Sequence, residues 1–249
     1  MGEPIKLRAP ARDLWEHVSQ HPVWSGLLVL LLFAAGSAVV ASLRGGDGNP
    51  APLIAGWGPP RPVYWCRSPS SCDGADHVTF NSYANAPNFG DERAFVDAKP
   101  FADRGPGGFR DVLPVRSGEV VLIRFYVDNA AWAARLGRSD GLAKGTEARA
   151  EIPLTAGTQH DIMGFILARN ARPRLVWDGV TLRSDEPTAV RFVFGSARWW
   201  TAHLPGEVRV SDALMEEGTP IGSWRLDGRF GDSFVDSGLL TFRVRVEAV

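Results

Sequence analysis

From Trp24 to Leu43 the chain reads WSGLLVLLLFAAGSAVVASL, an apolar run without a single charged side chain. A helix of about twenty residues rises roughly 30 Å, the thickness of a bilayer's hydrocarbon core. The pattern therefore predicts a transmembrane helix over residues 23–43. Beyond it the hydrophobic period shortens to two. In Glu119–Asp128, EVVLIRFYVD, Val121, Ile123, Phe125 and Val127 share one face, and Val120, Leu122, Arg124 and Tyr126 share the other. Leu239–Ala248, LLTFRVRVEA, places Leu240, Phe242, Val244 and Val246 opposite Arg243 and Arg245. Further strand-type runs cover His77–Tyr83, Glu147–Leu154, His160–Ala168, Arg174–Arg183, Thr188–Phe194, Ser196–Ala202, Gly206–Val210 and Pro220–Leu226. Gly, Pro, Asn and Asp turn signals separate them.

After the apolar run, no stretch keeps a helical period for more than two turns; Ala130–Gly137 comes nearest. Many short strands without alternating helices predict an all-β fold, an antiparallel immunoglobulin-like β-sandwich preceded by one N-terminal transmembrane helix. The Cys…Trp…Cys spacing of antibody domains is absent. The chain divides into a short tail (1–22), an anchor (23–43), a Gly/Pro-rich spacer (44–62) and a β-sandwich domain (63–249). The spacer composition, RGGDGNPAPLIAGWGPPRP, buries no core and lifts the domain off the membrane.

Charge sets the orientation. Lys6, Arg8 and Arg12 precede the apolar run, whereas only Arg44 follows it closely. Positive flanks stay inside, which puts the tail in the cytoplasm and the domain outside a plasma membrane. Val39-Val40-Ala41 is a loose match to a signal-peptidase site, but the run exceeds the about 7–15 residues of a cleavable signal, and a retained anchor is favoured. Over the whole chain 27 basic residues balance 28 acidic ones, with no basic stripe to hold phosphates, so nucleic acid is not an expected partner.

Cys66 and Cys72, both beyond the anchor, read as a disulfide in an oxidising compartment, ahead of free thiols; with His77 they fall short of a zinc ligand set. The densest polar cluster is Asn88-Phe89-Gly90-Asp91-Glu92-Arg93. Asp91 and Glu92, with Asp97, offer oxygens to Ca²⁺, although EF-hand spacing is missing and Arg93 favours a salt-bridged corner. No other cofactor is expected. Asp128-Asn129 ends the strongest strand, as a turn cap or a ligand contact. Asp178 lies in mid-strand, and Asp227-Gly228 reads as a hairpin turn. Trp199-Trp200 sits on a strand where successive side chains oppose each other, so one indole enters the core and the other is free to bind a sugar ring or peptide, or to be covered by a loop. Gly-x-Ser-x-Gly and His-Glu-x-x-His motifs are absent, and His160 and His203 read as surface residues.

Several segments together carry a resemblance: Asn88, Gly90, Asp91, Glu92, Arg93, Phe95 and Val96; Val176, Trp177 and Asp178; Gly195, Ser196 and Ala197; and the C-terminal Leu-Leu-Thr-Phe strand. The combination, spread over residues 77–246, resembles exported, membrane-anchored proteins of actinobacterial type whose function is uncharacterised. The resemblance implies a β-sandwich related to the immunoglobulin-like repeats of bacterial surface proteins, and no activity. The expected function is a non-catalytic interaction module at the cell envelope, binding a protein or wall glycan. The alternatives are a structural subunit of a membrane complex and a wall-acting hydrolase.

Overall fold

The computed structural model describes residues 56–68, 71–87, 89–132 and 141–249. The anchor run 24–43, the tail and most of the spacer lie outside them; among the described residues no helix is long and apolar enough to cross a membrane. The fold is all-β. Its strands are β1 (Cys66–Ser68), β2 (Ser71–Cys72), β3 (Val96–Pro100), β4 (Val112–Pro114), β5 (Val120–Val127), β6 (Ala143–Lys144) and β7 (Glu147–Glu151), followed by β8 (Gly157–Leu167), β9 (Leu175–Phe192), β10 (Arg198–Thr201), β11 (Val208–Arg209), β12 (Thr219–Pro220), β13 (Arg229–Phe230) and β14 (Gly238–Ala248). All pairings are antiparallel except β4 with β9.

The two strands with the clearest alternation form the centre. β5 and β14 pair from Gly238↔Val127 to Arg245↔Val120. Their predicted inward residues, Val121, Ile123, Phe125, Val127, Leu240, Phe242, Val244 and Val246, are all fully buried. β10 and β3 flank them. A second group, β7, β8 and the first part of β9, lies across this layer. Gly164 of β8 shows the contact: a Cβ there would stand 2.6 Å from Phe125 and 2.6 Å from Val96. Asp178 of β9 also accepts the Val96 amide at 2.7 Å, fastening β9 to the start of β3.

The two runs Arg174–Arg183 and Thr188–Phe194, read from sequence as separate strands, belong to one strand, β9. Its first part pairs with β8 and its last part with β14, with the ladder to β8 irregular between Gly157↔Thr188 and Gln159↔Arg183. Pro187 lacks an amide proton and sits exposed at this irregularity, where no ladder bond is lost. His77–Tyr83 is not a regular strand; it makes isolated bridges, Phe80 with Asn129 and Tyr83 with Tyr64. Asp227-Gly228 does not join consecutive paired strands: β12 pairs with β7 and β13 with β6.

The register gives the domain two ends. Val96, Val127, Thr201 and Gly238 meet at one of them. The turn between β8 and β9 is there too, since Arg172 donates to the Val78 carbonyl at 2.8 Å. Residues 56–62, the end of the predicted spacer, pack onto this end. Gly58 exchanges two 2.8 Å backbone hydrogen bonds with Trp177, and Arg61 is buried. The domain thus begins before Val63. Gly164→Val should force the two layers apart and destabilise the domain by about 1–3 kcal/mol, measured as a lowered urea midpoint; an unchanged midpoint would contradict this packing.

Candidate functional site

At the end where β5 finishes and β14 begins, loops bring together residues far apart in sequence. Asn81 is the pivot. Its backbone amide donates to the Asp128 carbonyl at 2.9 Å, and its side-chain oxygen accepts the Asp128 amide at 3.1 Å. Its Nδ2 donates to the carbonyls of Tyr126 at 2.8 Å and Glu92 at 3.2 Å. Arg61 donates from Nε and Nη2 to the Asn81 carbonyl, at 3.1 and 2.8 Å. Asn81 adopts φ 49°, left-handed backbone that asparagine tolerates better than most residues.

This clamp sets two carboxyl groups in the interior. Glu92 and Asp128 are 0% and 1% exposed. One Glu92 oxygen accepts the Tyr83 amide at 3.3 Å, and the Glu92 side chain also bonds Tyr126; its other oxygen and both Asp128 oxygens have no hydrogen-bond partner among the described residues. Burial raises the pKa of Asp128 to about 7, helped by the charges of Asp236 and Asp232. Burial, then the charge of Asp128, holds Glu92 well above the carboxylate range. Tyr83 and Tyr126 are raised as well, by burial first and then by Asp128. The cluster therefore holds its protons to higher pH than free carboxyls do.

The outer part of the same end is aromatic. Trp224, in the loop after β12, is 64% exposed. Its ring stacks on His203 at 3.8 Å between centroids and 18° between planes. His203 Nε2 lies 2.9 Å from Asp236 Oδ1. Asp236 closes a one-turn 3-10 segment, Phe234–Asp236: its Oδ2 accepts the Ser233 amide at 3.3 Å, and its backbone carbonyl accepts Ser223 Oγ at 3.1 Å. Asp236 thus joins the exposed stack to the buried carboxyls.

The sequence candidates fall unevenly on this site. Cys66 and Cys72 form the expected disulfide. Asp128 and Glu92, considered apart as a strand-end ligand contact and a calcium ligand, meet here. Asn129 caps a turn: its Oδ1 accepts the Ala131 amide at 3.2 Å and its Nδ2 donates to the Gly141 carbonyl at 2.7 Å. Asp91 turns away to Arg93, whose Nε donates to it at 2.8 Å, and Asp97 pairs with Arg124. The suggested calcium oxygens are thus split among separate partners, and among the described residues no three His, Cys, Asp or Glu side chains group to hold a metal ion.

Neither Trp199 nor Trp200 is exposed. Trp199 is fully buried, its indole donating to the Gly222 carbonyl at 2.9 Å, and Trp200 is 8% exposed. Of the two alternatives for the outward indole, the covered one holds and the binding one does not: both indoles belong to the main core, against which Leu204 of the loop after β10 packs. Trp224, the most exposed of three exposed indoles, falls where the sequence pattern predicts a strand over Pro220–Leu226; only Thr219–Pro220 is strand. Gly222 was the available signal, since a Cβ there would stand 2.7 Å from the Arg229 carbonyl, which marks a tight loop. Comparison with protein-family models, curated proteins and solved structures gives no match to this chain.

Because the Asp128 pKa is raised in the folded state, the folded chain keeps a proton that the unfolded chain loses above about pH 4. Stability should fall as pH rises from about 4 towards about 7. Asp128→Asn, which removes the titrating group, should flatten part of that slope and stabilise the protein by a few kcal/mol at pH 8. A residual slope should remain from Glu92 and from Asp178, which burial also raises to about 7. Urea unfolding of both proteins across this range checks it; parallel curves would contradict the assignment.

Proposed function

We propose that this chain is a single-pass plasma-membrane protein, anchored by residues 23–43 with its N-terminus in the cytoplasm. Its extracytoplasmic immunoglobulin-like β-sandwich acts as a non-catalytic interaction module for a wall glycan or envelope protein. The uncharged apolar run and the basic tail support the anchoring. The Cys66–Cys72 disulfide suits an oxidising compartment. Two strand layers facing each other through Gly164 and Phe125 suit a sandwich.

One observation carries the binding reading: Trp224 presents an open indole face, while its other face is held by His203, itself fixed by Asp236. A rigid, exposed aromatic ring offers a sugar ring or a flat peptide group contact area at low cost in side-chain entropy. The Glu92–Asp128 pair does not favour a hydrolase, because carboxyls at 0% and 1% exposure have no open face for a substrate. Acidic pairs in glycosidases flank the bond they cleave.

Replacement of Trp224 by Ala in the full-length protein should lower binding to isolated wall glycan by about tenfold or more, with the circular dichroism spectrum unchanged. His203→Ala should weaken binding less, by loosening the indole. Equal retention of wild type and Trp224→Ala on the glycan would remove the platform from the account.

A further inference from the structure

Of the seven large apolar side chains exposed among the described residues, four, including all three exposed indoles, lie at one end of this domain; Val112, Leu154 and Val249 are the others. Trp57 (36%), Trp65 (57%), Trp224 (64%) and Val235 (57%) are all exposed there. The contacts tie these residues to one region. Trp57 stacks under Arg93 at 4.6 Å, next to Glu92, whose amide bonds the Tyr83 carbonyl. Tyr83 in turn packs on Tyr64, beside Trp65, and on Phe234, beside Val235. Phe234 and Val235 share the short turn with Asp236, the partner of His203 beneath Trp224.

The chain also arrives from the anchor at this end. Residues 44–55 separate the apolar run from Gly56, the first described residue. Fully stretched, such a segment reaches at most about 40 Å, and a flexible chain of that length averages roughly 20 Å end to end. Gly58 is fixed to Trp177 at this end, so the tether keeps these indoles within a short reach of the lipid headgroups. Indoles are enriched at that level of a bilayer, where an apolar ring with one polar N–H is suited to the headgroup boundary. The exposed charges here are of both signs: Arg67, Arg172, Arg174 and Arg225 are exposed, as are Asp73, Asp76 and Asp227, while Asp91 is paired with Arg93 and Asp76 with His77. The indoles supply an apolar attraction that does not depend on anionic lipid, and the exposed arginines are compatible with headgroup phosphates.

From this placement we infer that the anchor-proximal end rests on the outer face of the bilayer, with Trp57 and Trp65 at the headgroup boundary and Val235 beside them. The inference rests on the anchored reading above and adds an orientation to it. The Trp224 platform then faces the membrane surface, so a glycan held there is one carried close to the lipid.

The test uses the full-length protein in nanodiscs of phosphatidylcholine brominated near the headgroup end of its acyl chains. Bromine quenches indole fluorescence at short range, and Trp15 and Trp24 contribute equally to every variant. The expected result is that W57F/W65F loses part of the bromolipid quenching seen in wild type, and that W65F alone loses a smaller part. Equal quenching in wild type and the double variant, with both still in the discs, would overturn the docking and leave the anchor intact. Failure of the protein to enter discs would overturn the anchored reading and the docking with it. Protection of these indoles from acrylamide by added wall glycan, without bromolipid quenching, would also overturn the docking and mark the end as a glycan surface.

Discussion

The hydrogen bonds of Asn81 hold this end of the domain together. A single residue binds the arriving N-terminal segment through Arg61, the loop carrying Glu92, and the last residues of β5. Asparagine suits the position twice over: it tolerates left-handed backbone, and its side chain supplies both a donor and an acceptor. An aliphatic residue there would lose three side-chain hydrogen bonds within a buried region, leaving backbone groups of Tyr126, Glu92 and Asp128 short of a partner. The clamp also explains why residues 56–62 belong to the folded domain despite their Gly/Pro-rich composition. They have a specific acceptor to bind, and Gly58 fits against Trp177, where a Cβ would overlap the ring.

The same clamp creates a costly feature. Two carboxyl groups, with oxygens unpartnered among the described residues, are buried beside two tyrosines, with Asp232 and Asp236 adding to the negative field. Burial without full pairing opposes folding unless the groups stay protonated. Fold stability and the exposed aromatic stack are therefore linked through one residue, Asp236, which supports His203 on one side and raises Asp128 on the other. The exposed aromatic stack is built on a turn whose electrostatics reach the interior.

What the sequence made legible follows from periodicity. β5 and β14 alternate strictly because one face of each lies in the core, and their buried residues were readable one by one. The pairing of Cys66 with Cys72 was readable from their closeness together with an expected oxidising compartment. Asp91 and Arg93 were readable as a corner because they are two residues apart. The candidate site was not readable as a unit, since Glu92, Asp128, His203, Trp224 and Asp236 come from different loops and only tertiary packing joins them. Trp200 misled because alternation says which sides of a strand its residues face, but not whether both sides are covered. Trp224 was missed because an isolated tryptophan between a Pro-Ile-Gly and an Asp-Gly has no period to mark it. β9 reads as two strands because the polar stretch Ser184–Pro187 interrupts the apolar pattern, and that stretch is the part of the strand without ladder bonds.

The account depends most on the side of the membrane where the domain stands, and protease accessibility in intact cells measures that directly. Trypsin added outside should release a fragment containing residues 63–249, with the Cys66–Cys72 bond still resistant to alkylation, while an epitope on the tail stays protected. Cleavage of the domain only after the membrane is permeabilised, or two freely alkylated thiols, would contradict an extracytoplasmic interaction module.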